Sequence, residues 1–96
     1  MDNNITVIDL EERLKKLTGH DFIECESIER AQGNMTPIIT FSASFQLRIA
    51  AIALGTNPGD LQDLPIRSLN KILMSVNSFL LRNLEEEPIP LLNSGE

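Results

Sequence analysis

The chain has 96 residues, with eight Lys or Arg against 14 Asp or Glu, and a formal net charge of −6. This length allows one hydrophobic core but not two, and a hydrophobic content of 42% is ordinary for a globular chain. The acidic balance argues against binding of duplex nucleic acid through its phosphates.

Other simple features exclude further classes. No apolar run reaches the roughly 18 residues that a membrane-spanning helix needs, and the start Met1-Asp2-Asn3-Asn4 lacks the basic region of a secretory signal. Cys25 is the single cysteine, which excludes an internal disulfide and fits a reducing compartment. With no Trp, no Tyr and four Phe, stacking platforms for single-stranded nucleic acid are few. We expect a cytoplasmic protein that contacts neither membrane nor nucleic acid.

The charges are unevenly distributed along the chain. Residues 1–34 carry eight acids and four bases, and residues 85–96 carry four acids and no base. Between Met35 and Gly59 the only charged residue is Arg48. A small monomer cannot easily bury a stretch so poor in charge, so this pattern predicts a surface that a partner covers.

The first predicted helix covers residues 7–17. Its apolar residues recur at spacings of three, four and three, which is one face of a helix. They are Val7, Leu10, Leu14 and Leu17. Thr6 followed by Asp9 resembles a capping box, and Gly19 stands where a glycine commonly ends a helix.

Residues 20–41 have no clear period. Their apolar residues alternate poorly, so the pattern fits a short strand, an irregular segment or a short acidic helix. Pro37 favours an extended Thr36. Residues 38–41 are then either a short strand or the approach to the next helix.

The second predicted helix covers residues 42–54, with Thr40 or Ser42 as its cap and Gly55 at its end. It is apolar nearly all round, which is typical of a buried helix. Two interpretations follow. It is the central helix of a monomeric core, or it leaves apolar surface for self-association or for a partner's helix.

The longest predicted helix covers residues 65–84, with Pro65 in its first turn. A turn at residues 57–59 and a short capped helical turn at residues 60–63 precede it. Three glutamates at 85–87 followed by Pro88 and Pro90 end it. The sequence therefore predicts a mainly α-helical protein of three or four helices, with one domain at residues 1–85 and a flexible acidic, proline-containing tail at residues 86–96.

No group of residues predicts catalysis or metal binding. His20 and Cys25 do not supply the four ligands of structural zinc. Asp60 and Asp63 are better explained as helix caps than as an acid–base pair. No phosphate-binding or nucleophile motif occurs. We therefore expect a protein that is not an enzyme and that takes no cofactor and no metal.

One group of basic residues, Arg67, Lys71 and Arg82, shares a face of the third predicted helix. This face is either simply solvated or an electrostatic patch that receives an acidic partner or the chain's own acidic tail. Residues 88–92 are unusually apolar for a tail and suggest a docking peptide.

Residues 41–84, not quite half of the chain, resemble the small tail assembly chaperones of tailed bacteriophages. The resemblance is carried by FSASFQLRIAAIALG, NPGDLQDLPIRSLNKI and VNSFLL. It implies a mostly helical protein, often self-associated, that binds the long helical tape measure protein, keeps it soluble and helps recruit tail tube subunits in the host bacterial cytoplasm. Longer forms of such chaperones commonly arise by translational frameshifting.

The partner-binding groove that this resemblance implies is assigned here by apolar pattern. Its residues are Phe41, Phe45, Ile49, Ile52, Ile66, Leu69, Leu73 and Phe79.

Two alternatives remain open from the sequence. The acidic head and tail suit a small inhibitor that mimics nucleic-acid charge on an enzyme, through Glu24, Glu26, Glu29 and residues 85–87. A helical transcription regulator would need a basic recognition helix, for which Arg67 and Lys71 are thin support.

Overall fold

The computed structural model describes residues 6–81, and this part of the chain is mainly helical, as the sequence predicts. It contains five α-helices, one 3-10 turn and no strand. The elements are α1 (Val7–Leu14), α2 (Gly19–Ala31), the 3-10 turn (Ile39–Phe41), α3 (Ala43–Leu54), α4 (Pro58–Gln62) and α5 (Ile66–Leu81).

Helix α3 is the centre of the fold. It packs against α1, α2, α4, α5 and the 3-10 turn. Phe45 and Ala50 have no exposed surface, and the ring of Phe22 in α2 meets Phe45 edge-on with centroids 4.9 Å apart. Helix α3 is therefore the central helix of the core, and its own chain covers most of its apolar surface, with Ile52 left 38% exposed.

Helix α2 decides between the alternatives left open at residues 20–41, because the acidic stretch forms a helix from Gly19 to Ala31 and residues 32–38 are irregular. Thr18 precedes it, and the Thr18 N–H donates to Asp21 Oδ2 at 2.8 Å. The sequence shows no apolar stripe here because the side chains that α2 buries most deeply are Cys25 and the charged Glu29. Gly19 is the first residue of this helix and does not end α1.

The approach to α3 is a 3-10 turn rather than a strand. Ser42 caps α3, as one of the two predicted caps, by accepting the Phe45 N–H at 3.2 Å. The predicted cap of α1 is also present, since Thr6 Oγ1 accepts the Asp9 N–H at 3.1 Å. The sequence predicts both helix caps because each joins a side chain to the backbone N–H three residues later.

Two predicted helix boundaries are adjusted, and a third lies outside the described residues. Helix α1 ends at Leu14, and residues 15–17 form a turn instead of its last residues. Helix α4 begins at Pro58, inside the predicted turn, because Asn57 Oδ1 accepts the Asp60 N–H at 3.0 Å. Helix α5 is described to Leu81, so the predicted residues 82–84, the tail and Arg82 lie outside the described residues.

Gly55 ends α3 in a left-handed conformation, with φ +73°. The Thr56 N–H donates back to the Ala51 carbonyl at 2.9 Å, which closes the helix end in the manner of a Schellman motif. A residue with a Cβ is strained at this φ, whatever the space around it.

The two glycines Gly55 and Gly19 should respond differently to alanine. We expect Gly55→Ala to lower the free energy of unfolding by about 1 kcal/mol, because Cβ penalises the left-handed conformation. Gly19→Ala should leave it unchanged or raise it by up to about 1 kcal/mol, because the site is helical and a Cβ meets nothing within 4 Å. Urea unfolding measures both. Equal losses would mean that Gly19 also takes a left-handed cap conformation.

Candidate functional site

A buried carboxylate joins α2 to α3. Glu29 is 2% exposed, and its Oε2 accepts Arg48 Nε at 2.8 Å and Ser44 Oγ at 3.0 Å. Its Oε1 accepts Asn34 Nδ2 at 2.8 Å. Both oxygens are therefore satisfied, which is the condition for a buried ion pair to be tolerated.

The pKa of Glu29 follows from opposing effects. Burial by itself raises the pKa of this carboxyl, but the hydrogen bonds from Asn34, Arg48 and Ser44, together with the positive charge of Arg48, outweigh burial and hold it below its usual 4.5. The carboxyl is therefore ionised at neutral pH, and its pairing with Arg48 is a charged one.

The same network fixes the backbone between α2 and α3. Asn34 Nδ2 also donates to Ser42 Oγ at 2.8 Å, and Asn34 Oδ1 accepts the Thr36 N–H and hydroxyl at 3.0 and 2.7 Å. Arg30 donates to the carbonyls of Asn34 and Thr36 at 3.1 and 2.6 Å, and to Glu26 at 3.2 Å. Side chains thus take the place of secondary structure in holding this segment.

A second anchor holds the 3-10 turn. Gln46, which is buried in α3, donates from Nε2 to the Thr40 carbonyl at 2.8 Å and to Asn77 Oδ1 at 3.4 Å. Because Asn77 belongs to α5, one amide connects the turn, α3 and α5.

The segment held in this way presents large apolar side chains to solvent. Met35 is 86% exposed, Ile38 58% and Phe41 60%. No charged residue lies between Met35 and Phe41 in the sequence. We call these three residues the apolar loop. Exposed apolar side chains on a fixed backbone favour a binding surface, because little conformational freedom remains to be lost on binding.

Helix α5 lies next to the apolar loop. It packs against the 3-10 turn, and Asn77 lies beside that turn through its bond to Gln46. Ile66 and Leu73 precede Asn77 by 11 and four residues on the same helix face. Ile66 is 80% exposed and Leu73 is half-buried. This face of α5 therefore combines apolar residues with the exposed polar side chains of Asn70 and Asn77.

The eight predicted partner-binding residues divide into three groups. Phe45 and Ile49 are 0% and 3% exposed. They belong to the core, which corrects their assignment to a surface groove, because the face of α3 that carries them points towards its neighbouring helices. Leu69, Leu73 and Phe79 are half-buried against the core. The exposed residues are Phe41, Ile52 and Ile66.

The predicted electrostatic patch is only partly described. Arg67 and Lys71 are exposed and lie one turn apart on α5, whereas Arg82 falls outside the described residues. Lys71 also belongs to a different feature that the sequence did not indicate.

This feature is an open groove of about 990 Å³ between α1, α4 and the N-terminal half of α5. Its floor is formed by buried side chains such as Leu10 and Leu61, and Arg13 and Lys71 are exposed at its margin. The lining residues are Thr6, Val7, Leu10, Arg13, Leu54, Thr56, Asp60, Leu61, Leu64, Ser68, Lys71, Ile72 and Ser75.

The described residues offer little reactive chemistry. Within residues 6–81, no three His, Cys, Asp or Glu side chains come together in a way that could hold a metal ion. Cys25 is fully buried, and burial raises the pKa of its thiol to about 11. His20 is exposed in the first turn of α2. None of the helices described is long and apolar enough to cross a membrane.

Sequence reasoning missed both the polar network and most of the apolar loop. A signal for the network was present, because Arg48 is the only charge in an apolar helix and a buried charge needs an opposite partner. Its partner lies 19 residues away in a segment without clear periodicity. Met35 and Ile38 gave no periodic signal, since they occupy a loop.

Comparison of the chain with protein-family models, curated proteins and solved structures gave no significant match.

Removing the buried carboxylate should destabilise the fold strongly. We expect Glu29→Ala to lower the free energy of unfolding by about 3–5 kcal/mol, because Arg48 loses its buried partner. Glu12→Ala is the matched control, since Glu12 pairs with Lys15 on the exposed surface at 3.4 Å and should change stability by less than about 1 kcal/mol. Denaturant unfolding followed by circular dichroism measures both. Similar losses for the two variants would contradict a structural role for the network.

Stability should also depend on pH through Glu29. The pKa of Glu29 is lower in the folded state than in the unfolded state. As the pH falls, the Glu29 carboxyl of the unfolded chain therefore binds its proton at a higher pH than that of the folded chain. The stabilisation is complete above pH 4.5 and is lost as the pH falls through the lower folded-state pKa. Unfolding free energies measured from pH 7 to pH 3 should fall less steeply for Glu29→Gln than for the unmodified chain. Parallel curves would show that Glu29 does not titrate as proposed.

Proposed function

We propose that this protein is a non-enzymatic assembly chaperone of a tailed bacteriophage, which binds an amphipathic helix of the tape measure protein and helps recruit tail tube subunits. The observation that carries the proposal is the apolar loop, three exposed apolar side chains on a backbone held by hydrogen bonds. The resemblance of residues 41–84 to such chaperones supplies the class of partner.

The chemistry of the surface fits an amphipathic helix. Phe41 belongs to the 3-10 turn, which packs against α5, and Ile38 directly precedes that turn. A helix with apolar residues three and four positions apart would place successive side chains against this surface. Each Å² of apolar surface removed from water contributes about 25 cal/mol. The absence of charge between Met35 and Phe41 means that no ion must be desolvated there.

The polar network supports the proposal by fixing the loop before binding. Arg30 donates to the carbonyls of Asn34 and Thr36, and Asn34 accepts hydrogen bonds from the Thr36 N–H and hydroxyl. A preorganised loop loses less conformational entropy when a partner binds than a mobile one does. The proposal includes self-association of the free chaperone, because an apolar surface of this kind can be shielded by a second copy until the partner helix replaces it.

The acidic-inhibitor alternative receives less support. Of the acidic residues of α2 that would present negative charge, Glu29 is buried against Arg48 and Glu26 pairs with Arg30 at 3.2 Å. Only Glu24 of this group is fully on the surface. Charge mimicry needs solvent-exposed carboxylates, so we prefer the chaperone.

Binding should depend on Phe41. We expect Phe41→Ser to weaken binding to the partner helix by about 2 kcal/mol, roughly 30-fold, because a central apolar anchor is removed. The measurement is a titration against overlapping helical peptides of the tape measure protein of the same phage. Co-expression of the two full proteins should show a matching loss of soluble tape measure protein.

Ile23→Ser is the matched control, since Ile23 is 59% exposed on α2, almost the same as Phe41 at 60%. It should bind like the unmodified chain. No binding of any peptide by the unmodified chain, or equal binding by both variants, would overturn the proposal.

A further inference from the structure

The groove between α1, α4 and α5 differs from the apolar loop in its charge. Val7, Leu61 and Ile72 are among the apolar residues that line the groove. The positively charged Arg13 and Lys71 are exposed at its margin. Within residues 6–81, neither cation forms an ion pair. The one lining acid, Asp60, accepts a hydrogen bond from the Thr56 hydroxyl at 2.8 Å. The groove therefore combines an apolar floor with a positive margin in a protein of net charge −6.

One segment of this chain has the opposite pattern. Residues 85–87 are three consecutive glutamates, and residues 88–92 read Pro-Ile-Pro-Leu-Leu. The negative charges of the glutamates are complementary to the positive charges of Arg13 and Lys71. The apolar stretch can cover the apolar floor of the groove. The two prolines favour an extended backbone, which can lie in an open groove without hydrogen bonds of its own.

The reach of the chain allows this pairing within one molecule. Leu81 is the last described residue of α5, and Ser68 marks the far end of the groove along the same helix. At 1.5 Å per residue, these residues lie about 20 Å apart. The 11 residues of segment 82–92 span up to about 36 Å when extended. The chain can therefore reverse after α5 and still run the length of the groove.

We propose that residues 85–92 of this chain dock into this groove, with the glutamates towards Arg13 and Lys71 and the apolar residues on its floor. The docked segment covers the half-exposed Val7 and the neighbouring Leu64, which are 49% and 37% exposed in the described part of the chain. The inference is independent of the proposed function, because the apolar loop lies on other elements.

A spin label on the tail tests the proposal in the full chain. Ser94→Cys provides the attachment site, and Cys25 stays unlabelled under native conditions because it is buried and its thiol pKa is raised to about 11. The expected result is a loss of amide signal intensity at Ser68, Lys71 and Ser75 in nuclear magnetic resonance spectra, with intensities in the apolar loop unchanged.

Charge reversal supplies the control. In the labelled chain, E85K, E86K and E87K together should restore the groove intensities, and adding R13E and K71E should remove them again, since the charges then match once more. Each of the five substituted residues belongs either to residues 85–87 of the tail or to the exposed margin of the groove. Phe41-dependent binding of the partner helix should stay unchanged in all these variants, so failure of this inference leaves the proposed function standing.

A mixture of isotope-labelled chain with spin-labelled chain of natural isotope content distinguishes a second copy. If the signal loss in that mixture equals the loss in a chain that carries both the isotope and the spin label, the groove binds the tail of another molecule. That result would overturn the intramolecular proposal. Signal loss confined to the apolar loop, or insensitive to charge reversal, would also overturn it.

Discussion

The contact between Glu29 and Arg48 is the constraint on which the rest of this structure depends. A charged pair with one partner 2% exposed is tolerable only when every polar atom around it is satisfied. Asn34 and Ser44 meet this requirement by donating hydrogen bonds to the Glu29 carboxylate. Asn34 also donates to the hydroxyl of Ser42, the cap of α3. The position of α2, the start of α3 and the path of the intervening segment are therefore set by one electrostatic condition.

This arrangement explains how a small protein keeps apolar side chains on its surface in a defined place. Met35, Ile38 and Phe41 are mostly exposed, so the packing of their own side chains does little to fix their backbone. Hydrogen bonds donated by Arg30 and Gln46, the bond that Asn34 accepts from the Thr36 N–H, and the burial of Ile39 in the core fix it instead. Polar groups provide the rigidity, and apolar groups remain available for contact with a partner.

The molecule thus has two surfaces of different character. The apolar loop carries no charged residue and suits the apolar face of another helix. The groove between α1, α4 and α5 pairs an apolar floor with Arg13 and Lys71. The proposed chaperone function would use the first surface for its partner. The second surface offers a place for an apolar and acidic segment of its own chain.

The sequence by itself determined the helical class, three of the helices and the caps Thr6, Ser42 and Gly55, because these depend on residues a few positions apart. It also indicated Phe41, Ile52 and Ile66, which are exposed. Tertiary structure decided that Phe45 and Ile49 are core, since the cover over α3 comes in part from a helix without an apolar stripe. It also decided the pairing of Glu29 with Arg48, because a contact across 19 residues leaves no local period to read.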